Sequence, residues 1–74
     1  MTTQITLETG GTLWKLLVSE GETVAKGQTL FIMEVMKMEV PYEAPVAGEV
    51  TAIHLKEGEP AEEDAVALEI KPAA

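Results

Sequence analysis

"GTLWKLLVSEGETVAKGQTLFIM", residues 11–33, returns 37 residues later as "GEVTAIHLKEGEPAEEDAVALEI", residues 48–70. Gly11 aligns with Gly48, and Glu20-Gly21-Glu22 aligns with Glu57-Gly58-Glu59. The apolar positions keep step as well: Leu13 with Val50, Leu16 with Ile53, Val18 with Leu55, Leu30 with Ala67, Phe31 with Leu68 and Met33 with Ile70. Shared glycines and a shared apolar phase identify an internal repeat. In each copy two apolar residues flank one intervening residue, Leu17 or His54, which is the period of a half-buried strand. The phase slips between Leu13 and Leu16, and again between Val50 and Ile53. A bulge is therefore expected at the same place in both copies. Glu-Gly-Glu reads as a turn, because glycine accepts positive φ. No helical stripe of useful length competes; the best segment, Ala61 to Ala67, is short and acidic.

Two small, similar sheets cannot leave their edges open without inviting aggregation. Packing them face to face covers the apolar faces and shortens the edges, so the expected fold is all-β, a flattened barrel or sandwich. Residues 34 to 47, which link the copies, must then contain an exposed hairpin. Its middle is "EVMKMEV", residues 34–40. Two-residue hairpin turns favour Asn-Gly or Asp-Gly because both central residues take positive φ. Met36 and Lys37 are poor substitutes, and the same register sets Glu34 across from Glu39, a mildly repulsive pair. Where local preference is overridden, a functional site is the first candidate. The alternative, Met36 and Met38 as core fillers and Lys37 as a solvated loop residue, fits a hairpin at the centre of a repeat poorly.

Glu34-Val35-Met36-Lys37-Met38 resembles the attachment motif of the biotinyl domains of the biotin carboxyl carrier family, usually Glu-Ala-Met-Lys-Met. Gly11, Gly21, Gly27 with Gln28, "EAPVAGEV" from Glu43 to Val50, and Gly58 extend the likeness over roughly residues 5 to 70. It is similar to the short, free-standing biotin/lipoyl attachment proteins and to the carrier ends of multidomain carboxylases. The resemblance implies a single biotinyl domain over residues 1–74, a flattened antiparallel β-barrel of two quasi-symmetric four-stranded sheets. It implies Lys37 as the lysine that carries covalent biotin, with Met36, Met38 and Glu34 read by biotin protein ligase. It further implies a carrier, not an enzyme, that moves a carboxyl group from a biotin carboxylase to a carboxyltransferase. Val35 stands where alanine is usual, and Asp64 where a glycine is expected in the second copy. The insertion that forms a "thumb" in some carriers is absent between Val18 and Val24. Two alternatives remain at this stage. A lipoyl carrier has a similar barrel but usually carries Asp-Lys-Ala, whereas Met36 precedes the lysine here. An unmodified interaction domain would leave Lys37 free and use the two methionines as contacts.

Composition narrows the rest. Five lysines, no arginine and thirteen carboxylates give a formal charge of −8, which disfavours nucleic acid and anionic membranes. No apolar run reaches the 18 residues of a membrane span, and no signal peptide opens the chain, so a cytoplasmic protein is expected. With no cysteine there is neither a disulfide staple nor a thiolate nucleophile or metal site. His54, the sole histidine, reads as an outward strand residue. Glu62-Glu63-Asp64 reads as a solvated turn and matches no calcium loop. Trp14 is expected in the core or at the barrel rim, Pro41 and Pro45 at the end of the hairpin strand, Gly10-Gly11 in a turn, and "KPAA" in a frayed tail or linker.

Overall fold

The structure, a computed structural model, describes residues 2–73. Eight strands are present: β1 (Thr3–Thr6), β2 (Gly11–Leu16), β3 (Thr23–Val24), β4 (Thr29–Val35), β5 (Met38–Glu43), β6 (Gly48–Ile53), β7 (Pro60–Ala61) and β8 (Val66–Pro72). They form two four-stranded antiparallel sheets, ordered β1-β8-β6-β3 and β5-β4-β2-β7. The expected all-β sandwich is observed. The copies are interlocked as well as stacked: the first repeat lends β3 to the sheet of the second, and the second lends β7 to the sheet of the first.

The expected bulges are observed at matching positions. Register shifts between Leu13 and Lys15 on β2, and between Val50 and Ala52 on β6. The extra residues, Trp14 and Thr51, are one repeat apart. A bulge turns backbone groups away from the ladder, and they must find other partners. The Glu-Gly-Glu turns supply them reciprocally. The Glu57 carboxylate accepts from the Leu16 N–H at 2.7 Å, and the Glu20 carboxylate accepts from the Ile53 N–H at 2.9 Å. Likewise the Gly58 N–H donates to the Leu13 carbonyl and the Gly21 N–H to the Val50 carbonyl, each at 2.7 Å. Each turn thus closes the bulge of the opposite copy.

The core between the sheets is wholly apolar. Leu7, Leu13, Leu30, Phe31, Met33, Val50, Leu68 and Ile70 are almost completely buried, and no polar or charged residue among those described is buried with them. Phe31 stacks on Tyr42 across β4 and β5, with ring centroids 4.8 Å apart, and the Tyr42 hydroxyl accepts from the Glu8 N–H at 3.0 Å. Such a stacked pair adds about 1 kcal/mol beyond its buried area.

Three local expectations are corrected and a fourth, for Trp14, loses one of its two placements. Pro41 lies inside β5, opposite Ile32, instead of ending the strand. An edge strand tolerates a proline whose nitrogen faces away from its neighbour, and β5 is an edge. Gly11 opens β2 and is not part of a turn. Lys71 and Pro72 extend β8 and pair with Glu49 and Gly48, so they do not fray. Trp14 is 43% exposed and lies outside the core.

His54 faces outward, and its Nε2–H donates to the Glu69 carboxylate at 2.8 Å. That hydrogen bond holds the Glu69 carboxyl below its ordinary value of 4.5; partial burial opposes it, and the Thr2 hydroxyl and the His54 charge reinforce it. A depressed carboxylate stabilises the fold above its unfolded value and ceases to do so as pH falls through the folded one. Lowering pH below 4.5 is therefore expected to reduce the denaturant midpoint more in the parent chain than in His54→Ala. Parallel pH profiles for the two would sink this assignment.

Candidate functional site

The hairpin joining β4 to β5 is the most exposed apolar feature of the described residues. Val35 pairs with Met38 and closes a two-residue loop of Met36 and Lys37. Both loop residues take positive φ, 52° and 65°, the backbone signature of a type I′ turn. For residues with a Cβ this conformation costs about 1 kcal/mol each. Here the ladder beneath imposes it: six β4–β5 residue pairs run from Thr29–Glu43 to Val35–Met38. The cost falls at the tip and the support comes from the strands.

Met36 is 90% exposed and Met38 67% exposed, so neither fills the core. Lys37 lies between them and is also exposed. The one ion pair among the described residues is His54–Glu69, so Lys37 has no ionic partner among them. Glu34 sits opposite Glu39 as the register required. The four residues picked out from sequence are thus brought together in one turn and the rungs just below it. A primary amine stands at its apex, flanked by two thioethers, on a backbone fixed by two strands. Such an arrangement can be acylated. It contains no metal-ligand cluster and no cysteine nucleophile among the described residues.

Gly11 sets the support of this turn. A Cβ there would lie 2.5 Å from the Glu34 carbonyl oxygen and 2.9 Å from Val35 Cγ2. Only glycine lets β2 lie this close to the last residues before the turn. Sequence placed Gly11 in the repeat but not this contact, because close backbone approach leaves no periodic signal.

Trp14 was not foreseen as a surface residue. The Lys15 Nζ lies 5.5 Å from its ring centroid. Its bulge position could have signalled exposure, since an inserted residue escapes the alternation that buries Leu13.

Comparison with known proteins agrees with this geometry. The family model described as "Biotin-requiring enzyme" matches residues 1–70. The chain is 39% identical over 66 residues to the biotin/lipoyl attachment protein of Bacillus subtilis, covering 89% of this chain and 90% of that one. It is 43% identical over 63 residues to the pyruvate carboxylase of the same organism, covering 85% of this chain but only 6% of that protein. The urea carboxylase of Kluyveromyces lactis superposes with a TM-score of 0.88 at 28% identity, over 96% of this chain and 6% of that one. Against such multidomain proteins the chain spans one small part, while it spans nearly all of the attachment protein. No helix among the described residues is long and apolar enough to cross a membrane. An eight-stranded barrel with a lysine-tipped hairpin, matched along almost its whole length, places the chain in the biotin/lipoyl attachment domain family, as an attachment domain and not a catalytic one.

Proposed function

We propose that residues 1–74 form a single biotinyl domain, that Lys37 is its attachment site, and that it serves a biotin-dependent carboxylase in the cytoplasm. The observation that carries this reading is Lys37, exposed and without an ionic partner among the described residues, at the I′ apex between Met36 and Met38. Lys37 would hold biotin through an amide between Nζ and the valerate carboxyl. A biotin protein ligase supplies the activated acyl adenylate; the amine loses a proton, the new C–N bond forms and AMP leaves. Once attached, biotin supplies a ureido ring able to carry a carboxyl group from a biotin carboxylase to a carboxyltransferase.

The chain's own contribution is placement. The ligase takes up the proton that the amine releases as the amide forms. The turn fixes where the amine emerges, while the four methylenes of the side chain leave its direction free. Met36 and Met38 offer flexible, polarisable contacts that adapt to a ligase surface. Glu34 adds a fixed carboxylate one rung below Val35.

The test is intact mass and peptide mapping after incubation with biotin, ATP and a biotin protein ligase. One biotinyl group on Lys37, among five lysines, is the expected result. An unchanged mass would overturn it, and incubation with a lipoate ligase would then decide whether the lysine takes lipoate.

Trimming Met36 and Met38 to alanine together is expected to slow ligation at least tenfold while changing stability by less than about 1 kcal/mol, since exposed side chains contribute little to folding. A large fall in thermal stability would show that the methionines pack against the barrel after all.

A further inference from the structure

The two sheets are copies, but their outer faces differ. On the sheet without the lysine, Thr51, His54 and Glu69 form a polar cluster: the Thr51 hydroxyl donates to the Glu69 carbonyl at 3.3 Å, and His54 pairs with the Glu69 carboxylate. One repeat earlier, on the sheet bearing Lys37, the equivalent positions are Trp14, Leu17 and Ile32. Trp14 is 43% and Leu17 49% exposed. Ile32 alternates with the buried Phe31 and Met33, so it faces outward, opposite Lys15 and Pro41. Internal packing does not require this substitution, because the polar version serves the same fold on the other sheet. The exposed Lys15 sits among them, paired with Ile32 and with its Nζ 5.5 Å from the Trp14 ring centroid; apolar side chains kept at the surface around this one cation, in a chain of charge −8, mark a contact surface.

We propose that Trp14, Leu17 and Ile32 form a docking face for the biotin protein ligase, an inference that rests on Lys37 being the attachment site. Size is the first argument. Ile32 lies three residues down the strand from Val35, about 10 Å below the turn. A stable interface covers about 800 Å² per partner, a disc of roughly 16 Å radius. An enzyme centred on the Lys37 tip therefore reaches Ile32 and Trp14, whereas Leu17, whose N–H donates to the Leu30 carbonyl about 17 Å down the strand, meets only its edge; Met36 and Met38 alone are too small a contact. The second argument is what the enzyme has to hold. Carboxylase components meet an arm that already ends in biotin and can grip that head in a pocket. The ligase meets a bare amine, so its hold on the domain comes from the protein surface. The third is charge. Glu34, Glu39 and Glu43 rim the same face and outnumber its one lysine, Lys15, which calls for a partner with an apolar centre and a mainly basic border. A second copy of this chain would bring another acidic rim against the first.

The experiment measures biotinylation of the full chain by a biotin protein ligase under steady-state conditions. Trp14→Thr is expected to raise KM about tenfold with kcat unchanged, as loss of an aromatic anchor at an interface does. Leu17→Thr, a largely exposed site that guards against a folding artefact, should raise it severalfold. Thr51→Ala, at the equivalent place on the other sheet, should leave KM as it was. Added salt should raise KM in the parent chain through screening of the acidic rim. Parent-like KM in both Trp14→Thr and Leu17→Thr would overturn the docking face while leaving Lys37 as the site. Self-association of the parent chain abolished by Trp14→Thr would reassign the face to a second copy. A parent chain that takes no biotin would overturn the function and this inference together.

Discussion

Lys37→Arg is expected to leave the fold intact and to end biotin attachment. Arginine keeps the positive charge and a similar length, and it occupies a position already exposed. Its guanidinium stays protonated well above neutral pH and offers no free amine lone pair for acylation. The other four lysines, Lys15, Lys26, Lys56 and Lys71, stand outside the hairpin. Mass spectrometry after ligation should therefore show the unmodified mass, with thermal unfolding superimposable on that of the parent. Biotin on any residue of the variant would remove Lys37 from its assigned role.

The second large effect is structural. Gly48→Ala is expected to destabilise the chain by about 3 kcal/mol or more, at the upper end of overpacking costs. Gly48 is buried opposite Pro72. A Cβ there would overlap the Lys71 carbonyl oxygen and lie 2.9 Å from Ile70 Cγ2. Backbone cannot rotate aside as a side chain can, so β6 and β8 must separate at the Gly48–Pro72 end of their pairing. For a domain of this size the melting temperature should fall by more than about 10 °C. A fall of under about 2 °C would show that the strands yield without cost. Gly11→Ala meets the equivalent contacts one repeat earlier and should be destabilising for the same reason, with added disturbance at the base of the lysine hairpin.

The parts of this fold legible in sequence were those with a period. The 37-residue repeat, the strand alternation and the paired bulges at Trp14 and Thr51 all follow from which apolar residues keep step and where the step slips. The hairpin was legible because it had to join the copies, and its I′ geometry followed from a two-residue loop. Less legible were features set by tertiary position. The strands Thr23–Val24 and Pro60–Ala61 have two residues each, too short for any period. Whether Pro41 ended a strand or lay within one depended on β5 being an edge, which no local pattern records. Asp64 takes a φ of 68° where the first copy has Gly27 at 87°. The repeat flagged that position, since aspartate is among the few residues with a Cβ that enter this region readily. The placement of Glu34, Met36, Lys37 and Met38 at one exposed hairpin was legible, and the outward face around Trp14 was not.

The route of the chain through the two sheets has a consequence for how the domain can be mounted. From the turn at Met36 and Lys37, β5 runs to Glu43, and residues 44–47 cross to Gly48, which pairs with Pro72. The Ala73 N–H donates to the Ala47 carbonyl at 2.9 Å. The lysine therefore marks one pole of a body 37 Å long and 18 Å wide, and Ala73 emerges toward the other. A tether fixed at the second pole leaves the first unobstructed, like a lamp held by its base. The same barrel can in this way serve as a small separate piece or as one bead on a long polypeptide, without any change at its working end.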